Sequence, residues 1–240
     1  MKIIAHRGFS SRAPENTMVA FKTAIEFRVD GLELDVQLSK DGELVICHDE
    51  KIDRTTDGHG FIKDHTWPEL RKFDAGSWFD MTFAEERIPR LQELLELIQG
   101  SDLLVNIELK TNIFPYPGIE AKAVRMVRDF GLARQCIFSS FNHYTLARIS
   151  AIAPELKTGV LYEAVLYSPW NYALTFGAAA LHPPIYSITP ETVAQAKLKG
   201  LLVNTWTVDE QVEVEKAIIA QVDGIITNKP DRVRDIVSTK

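Results

Sequence analysis

The chain has 240 residues, 45% of them hydrophobic and 25% charged, with a formal net charge of -6. Those proportions suit a soluble globular chain and exclude a disordered, collagen-like or low-complexity one. No run of Lys and Arg offers a footprint for nucleic acid, and no apolar run approaches the ~20 residues of a membrane span. Neither nucleic acid nor stable membrane association is therefore expected. The apolar stretch at the start is too short for a signal-peptide core, and His6-Arg7 follows it at once. Cys47 and Cys136 sit inside apolar runs and read as core residues, not as a disulfide framework. Cytoplasmic residence is the expectation.

In chain order, apolar or β-branched runs at 2–6, 31–37, 103–110, 135–139, 156–161, 179–181, 201–206 and 223–227 predict strands. Helical spacing appears between them at 17–28, 91–98, 119–130, 144–152, 168–176, 190–199, 210–220 and 231–237. Such alternation predicts a parallel sheet with helical crossovers. Eight units at this length match an α/β fold of the TIM-like (β/α)8 barrel type. A doubly wound open sheet fits less well, since it uses fewer strands and the first turn lacks the GxGxxG loop. Gly131 and Gly200 stand where the helices before them should stop, and Pro190 stands at a first helical position.

Residues 49–89 break the rhythm. A short alternating strand at 43–48 leads into Gly58, Gly60, Pro68, Gly76 and the large aromatics Phe61, Trp67, Phe73, Trp78 and Phe79. A stretch this long without regular structure is uncommon unless it is functional. The aromatics predict that it packs as a small insertion over one barrel face.

Charge then appears where a buried strand should be apolar. Alternation at 31–38 puts Glu33, Asp35 and Gln37 on one face and Leu32, Leu34, Val36 and Leu38 on the other. The run 105–110 repeats this, with Asn106, Glu108 and Lys110 opposite Val105, Ile107 and Leu109. A half-exposed strand with a polar outer face would look the same, but a barrel strand covered by helices has no such face. Both runs carry their charges late, toward the strand ends where barrel enzymes build their sites. Carboxylates at one mouth repel by about 4 kcal/mol for a pair ~4 Å apart at an effective dielectric of about 20. Arg7 and Lys110 offset part of that. A divalent cation is the stronger candidate, and all-oxygen ligands favour Mg2+ or Ca2+ over zinc.

His6 ends the first strand and His48 ends the short strand after Asp35. Two imidazoles can act as acid and base in one cycle. Either alone reads more often as structural, but both at strand ends beside the carboxylates predict catalysis. His59, His65, His143 and His182 lack that setting and read as structural or rim residues. Ser139-Ser140 reads equally as a mouth hydroxyl or as a helix cap. HExxH, CxxC, GxSxG and GxxxxGK[ST] are absent.

These residues resemble the glycerophosphodiester phosphodiesterase family along nearly the whole chain. His6-Arg7-Gly8 with Pro14-Glu15-Asn16-Thr17 is similar to its opening signature. Glu33-Leu34-Asp35-Val36 with Asp41-Gly42 and His48-Asp49 resembles its second block, and Asp53-Arg54-Thr55-Thr56-Asp57-Gly58 the start of its insertion. Ile88-Pro89-Arg90-Leu91, Asn106-Ile107-Glu108-Leu109-Lys110, Asn204-Thr205-Trp206-Thr207 and Asp223-Gly224-Ile225-Ile226-Thr227-Asn228-Lys229-Pro230 resemble the later blocks. Cys47 before the second histidine, and Asp57 where Asn is frequent, are small departures.

The resemblance implies one barrel domain over residues 1–240, interrupted at about 49–89, that hydrolyses glycerophosphodiesters to an alcohol and sn-glycerol 3-phosphate. It implies Glu33, Asp35 and Glu108 as metal ligands, His6 and His48 as the acid/base pair, Arg7 and Lys110 on the phosphate, and Trp206 as a wall of the glycerol pocket. Two other readings stand beside it. A related barrel phospholipase would want an exposed apolar rim for a lipid surface. A non-catalytic phosphoester-binding barrel would need neither both histidines nor three carboxylates.

Overall fold

The structure, a computed structural model, describes residues 1–239. Among them the strands are β1 (Lys2–His6), β2 (Gly31–Leu38), β3 (Leu44–Ile46), β4 (Leu104–Leu109), β5 (Cys136–Ser140), β6 (Lys157–Leu161), β7 (Ala180–His182), β8 (Leu202–Thr205) and β9 (Gly224–Thr227). All but β3 run parallel, in the order β1-β2-β4-β5-β6-β7-β8-β9, and β9 closes on β1. The result is the eight-stranded parallel barrel that the alternation predicts. β3 lies antiparallel on the end of β2, with Val36 opposite Ile46, and carries the chain outward to His48.

The helices are α1 (Met18–Glu26), α2 (Trp67–Leu70), α3 (Leu91–Ile98), α4 (Ile119–Asp129), α5 (His143–Ile152), α6 (Pro169–Leu174), α7 (Pro190–Leu198), α8 (Gln211–Ala220) and α9 (Pro230–Ser238). All but α2 follow a barrel strand. Local chemistry sets their starts: the Thr17 side chain accepts from the Ala20 amide at α1, and Thr189 accepts from the Thr192 amide at α7, where Pro190 opens the helix. Among the described residues no helix is long and apolar enough to cross a membrane.

Each strand divides its side chains between two environments. Leu32, Leu34 and Val36 of β2, with Ile107 and Leu109 of β4, pack outward in one cluster with Phe21 and Ala24 of α1, Leu94 and Leu95 of α3, and Ala123 and Val127 of α4. A second cluster joins Val160, Leu181, Val203 and Ile225 to Val193 of α7 and Val214 and Ala217 of α8. Each fully buried Leu or Val is worth about 1.5–3 kcal/mol. This apolar shell leaves the alternate positions facing the barrel axis. The axis is crowded: a Cβ on Gly159 would lie 2.6 Å from the His182 ring across β6 and β7, so only glycine fits there. His182, which reads from sequence as a structural or rim residue, is fully buried inside the barrel.

The insertion differs from the expected irregular stretch. It contains the single helical turn of α2 and two 3-10 turns, Ile62–Asp64 and Met81–Phe83. Its core is aliphatic: Ile52, Ile62, Leu70, Ala75 and Ile88 pack with Val45 and Cys47. Trp67 and Phe73 flank that core half-buried, and Trp78 is exposed. Phe61 and Phe79 are half-buried as well, so the core of the insertion is built from aliphatic side chains and not from its rings.

Both cysteines are free and buried, and burial pushes each thiol up to about 12. A protonated thiol is a poor nucleophile. Native protein treated with iodoacetamide at pH 8 should therefore gain no label by mass spectrometry. Denatured protein should gain two.

Candidate active site

Strand register brings the acidic residues together. In parallel pairs, residues opposite each other share a face. His6 of β1 stands opposite Glu33 of β2, and Asp35 of β2 stands opposite Glu108 of β4. Glu33, Asp35 and Glu108 thus converge at the C-terminal mouth, as the alternation predicts. They offer carboxylate oxygens that all lie within 4.8 Å of one another, and all three are buried.

The turn after β1 is built around this cluster. Arg7 (φ 58) and Gly8 (φ 80) adopt left-handed backbone. Gly8 is required there twice over, since a Cβ would lie 2.7 Å from Ala20. The turn aims the Arg7 amide at Glu33 Oε2, to which it donates at 3.0 Å. Arg7 Nε lies 3.4 Å from Asp35 Oδ2, and Nη1 donates to Glu15 Oε1 at 2.8 Å. Asn16 Nδ2 donates to Asp35 Oδ2 at 2.9 Å. Lys110, just past β4, places Nζ 3.0 Å from Glu108 Oε1 and 3.8 Å from Asp35 Oδ1.

The two histidines flank the cluster with defined tautomers. Asn228 Nδ2 donates to Asp209 Oδ2 at 2.6 Å, which turns its Oδ1 toward His6 Nδ1 at 2.7 Å. His6 Nδ1 must then be the donor, and Nε2 is left free, 3.8 Å from Glu33 Oε2. His48 Nδ1 donates to Asp49 Oδ1 at 2.6 Å, and its Nε2 lies 3.3 Å from Lys110 Nζ. Both rings turn Nε2 inward. Gln37 supports the second ring from below: its Nε2 reaches the carbonyls of Cys47, His48 and Asp49 at 2.9, 3.2 and 2.7 Å, and its Oε1 accepts from Tyr116.

Burial and charge pull these groups apart electrically. Glu33 is pushed well above the carboxylate range by burial and by the charges of Asp35 and Glu108. Burial raises Glu108 too, against the pull of Lys110. Burial alone would raise Asp35, but Arg7 and Lys110 hold it well below the usual range. Burial and then the Arg7 charge lower His6 to about 4. The connected carboxylates are Glu15, Glu33, Asp35, Asp49 and Glu108, and the cations among them are Arg7, Arg54 and Lys110. Counted as formal charges, that leaves a deficit of two positive charges. An all-oxygen donor set with this deficit fits a divalent cation. Asn16 Oδ1, a further neutral oxygen beside Asp35, is buried without a partner.

Trp206 stands just beyond β8 on the same side. It donates from Nε1 to the His182 carbonyl at 2.7 Å and meets Phe141 edge to face at 5.6 Å. Ser140 donates to the Leu109 carbonyl and accepts from the Asn142 amide, so it supports the start of α5 and does not offer a hydroxyl to the mouth. A cavity of about 750 Å³ opens at the opposite end of the barrel among Ile4, Leu104, Ile137 and Leu202, away from the acidic and imidazole groups.

Sequence reasoning assigned no role to Glu15, Gln37, Asp49, Arg54, Asp209 or Asn228. Gln37 stood on the charged face of its strand, and Glu15, Asp49, Arg54 and Asn228 stood inside the quoted motifs. Asp209 carried no signal.

The chain is similar to known proteins along nearly its whole length. The model of the glycerophosphoryl diester phosphodiesterase family matches residues 6–232. A glycerophosphodiester phosphodiesterase of Caldanaerobacter subterraneus subsp. tengcongensis is 50% identical over 98% of this chain and 97% of its own length. Among solved structures, a protein of Silicibacter pomeroyi superposes with a TM-score of 0.93 at 27% identity, over 100% of this chain and 93% of that one. A phosphodiesterase of Oleispira antarctica, solved with its product sn-glycerol-3-phosphate, superposes at 0.90 with 31% identity, over 99% and 97% of the two chains. The chain belongs to the glycerophosphoryl diester phosphodiesterase family and is an enzyme of that class.

Among the described residues, Asn228 is the sole hydrogen-bond partner of His6 Nδ1. Asn228→Ala should lower kcat about 10–100-fold, the usual cost of losing a group that orients an imidazole. The melting temperature should change little, because the side chain is partly exposed. Steady-state kinetics and a thermal melt of the same sample check both.

Proposed function

We propose that the enzyme hydrolyses glycerophosphodiesters to an alcohol and sn-glycerol 3-phosphate, with one divalent cation, Mg2+ or Ca2+, held by Glu33, Asp35 and Glu108. The observation that carries this reading is the meeting of three buried carboxylates with two imidazoles that both present Nε2. The product bound by the Oleispira antarctica relative supports the substrate class. When bound, the cation supplies a Lewis acid for the non-bridging oxygens of the phosphate.

A phosphodiester carries one negative charge, which repels nucleophiles, and more charge gathers on its oxygens as the bond to phosphorus forms. Arg7 and Lys110 hold that charge beside the carboxylate cluster. One imidazole accepts the nucleophile's proton at Nε2. The other delivers a proton from Nε2 to the leaving alkoxide, so the alcohol departs neutral and the pair ends with its protons exchanged. Asp49 and Asn228 keep both Nδ1 atoms as donors, so each ring works through Nε2. Trp206 walls the side where the glycerol carbons lie. The substrate is small and water-soluble, and the two unpaired cysteines suit a reducing compartment, so we place the reaction in the cytoplasm. The phospholipase reading is not favoured, since the curated relatives are named for the deacylated diester.

The test is release of sn-glycerol 3-phosphate from glycerophosphocholine, read by a coupled dehydrogenase. EDTA should abolish it and Mg2+ or Ca2+ should restore it; full turnover after thorough chelation would remove the cation from the reading. Glu33→Gln, Asp35→Asn and Glu108→Gln should each weaken cation binding by calorimetry. His6→Ala and His48→Ala should cut kcat by about 10²–10⁴ while cation binding stays near wild type. A histidine variant with wild-type turnover would lose its place in the mechanism.

A further inference from the structure

Arg54 lies in the insertion, six residues past His48, and its side chain is 45% exposed. It is nevertheless held on both edges. Nε and Nη2 donate to Asp49 Oδ2 and Oδ1 at 2.6 and 3.1 Å. Nη1 and Nη2 donate to Glu15 Oε2 and Oε1 at 2.9 and 2.8 Å. Four of the five guanidinium donors are consumed, so the group has little left with which to take a phosphate oxygen.

Its partners lead to opposite sides of the active site. Asp49 accepts from His48 Nδ1, and Glu15 accepts from Arg7, whose Nε faces Asp35. One planar group therefore closes a chain from His48 through Asp49 and Glu15 to Arg7 and Asp35. We propose that Arg54 is a positioning residue: through it the insertion fixes the imidazole of His48 relative to the phosphate-binding Arg7 and the carboxylate cluster. The role rests on the acid/base reading of His48 given above. It calls for Arg in particular, because two forks on one plane hold two carboxylates at a set angle, and a Lys ammonium has no such plane.

Without Arg54, Asp49 keeps its bond to His48 but loses its own anchor, so the ring is no longer held at one angle. Arg54→Ala should lower kcat on glycerophosphocholine about 10–100-fold, with KM within about threefold of wild type. Arg54→Lys should stay more than about fivefold below wild type. Asp49→Asn should show a similar loss, and the double variant Asp49→Asn/Arg54→Ala should be no worse than the poorer single variant, since both cut one chain. Added guanidinium at low millimolar concentration should restore part of the Arg54→Ala rate through the exposed face. Arg71→Ala removes another insertion cation, paired with Glu93 at 2.8 Å, and should leave kcat unchanged. Independently of turnover, the downfield proton resonance of His48 Nδ1–H, assigned by its absence in His48→Ala, should shift or broaden in Arg54→Ala and Arg54→Lys.

Wild-type kcat in Arg54→Ala, multiplicative losses in the double variant, or an unmoved His48 resonance would each overturn the role. If Arg54→Ala does not fold by circular dichroism, Arg54→Lys decides. A wild-type enzyme that releases no sn-glycerol 3-phosphate would sink the proposed activity instead, and the resonance would still judge Arg54.

Discussion

Three carboxylates cannot share a buried space within 4.8 Å unless positive charge stands among them. The rest of the mouth is arranged around that demand. Arg7 and Lys110 penetrate to the cluster, the backbone of the first turn bends left-handed to present an amide to Glu33, and Asn16 donates to Asp35. These groups hold Asp35 low but leave Glu33 raised. An unequal cluster of this kind, short of positive charge, fits one more cation.

The same electrostatics explain why the insertion is attached where it is. The hairpin of β2 and β3 delivers His48 to the rim at the edge of the barrel, where no neighbouring barrel strand clamps it. The insertion begins at that point and folds over its own aliphatic core against β3. Gln37 holds the His48 segment from inside the barrel, and Arg54 holds Asp49 from outside. His6 needs no such device, because it ends a strand paired on both sides and leans on Asn228 at the end of the last strand.

The barrel and its acidic mouth were legible because both rest on short-range rules. Eight apolar runs, each followed by a helical segment, have few ways to cover themselves other than a closed parallel sheet. Glu33, Asp35 and Glu108 stood out because charge at alternate strand positions is costly wherever helices cover the other face. The insertion was legible only as an interruption. Its aromatics predicted that it packs over the barrel, but aliphatic side chains form its core, and no local pattern in 49–89 picks out Ile52, Ile62 and Leu70.

The sequence by itself determined the alternation of strand and helix, the facing of the carboxylates toward the barrel axis and the membership of both histidines in one mouth. Those follow from period-two geometry and from the direction of parallel strands. The tertiary structure alone decided which nitrogen of each ring turns inward, how the charges pair and which carboxylates Arg54 holds. Arg54 meets Glu15 across 39 positions, and His6 meets Asn228 across 222. Bonds between residues so far apart have no signature in local spacing, because the closure of the barrel, and not the chain's own periodicity, sets their distance.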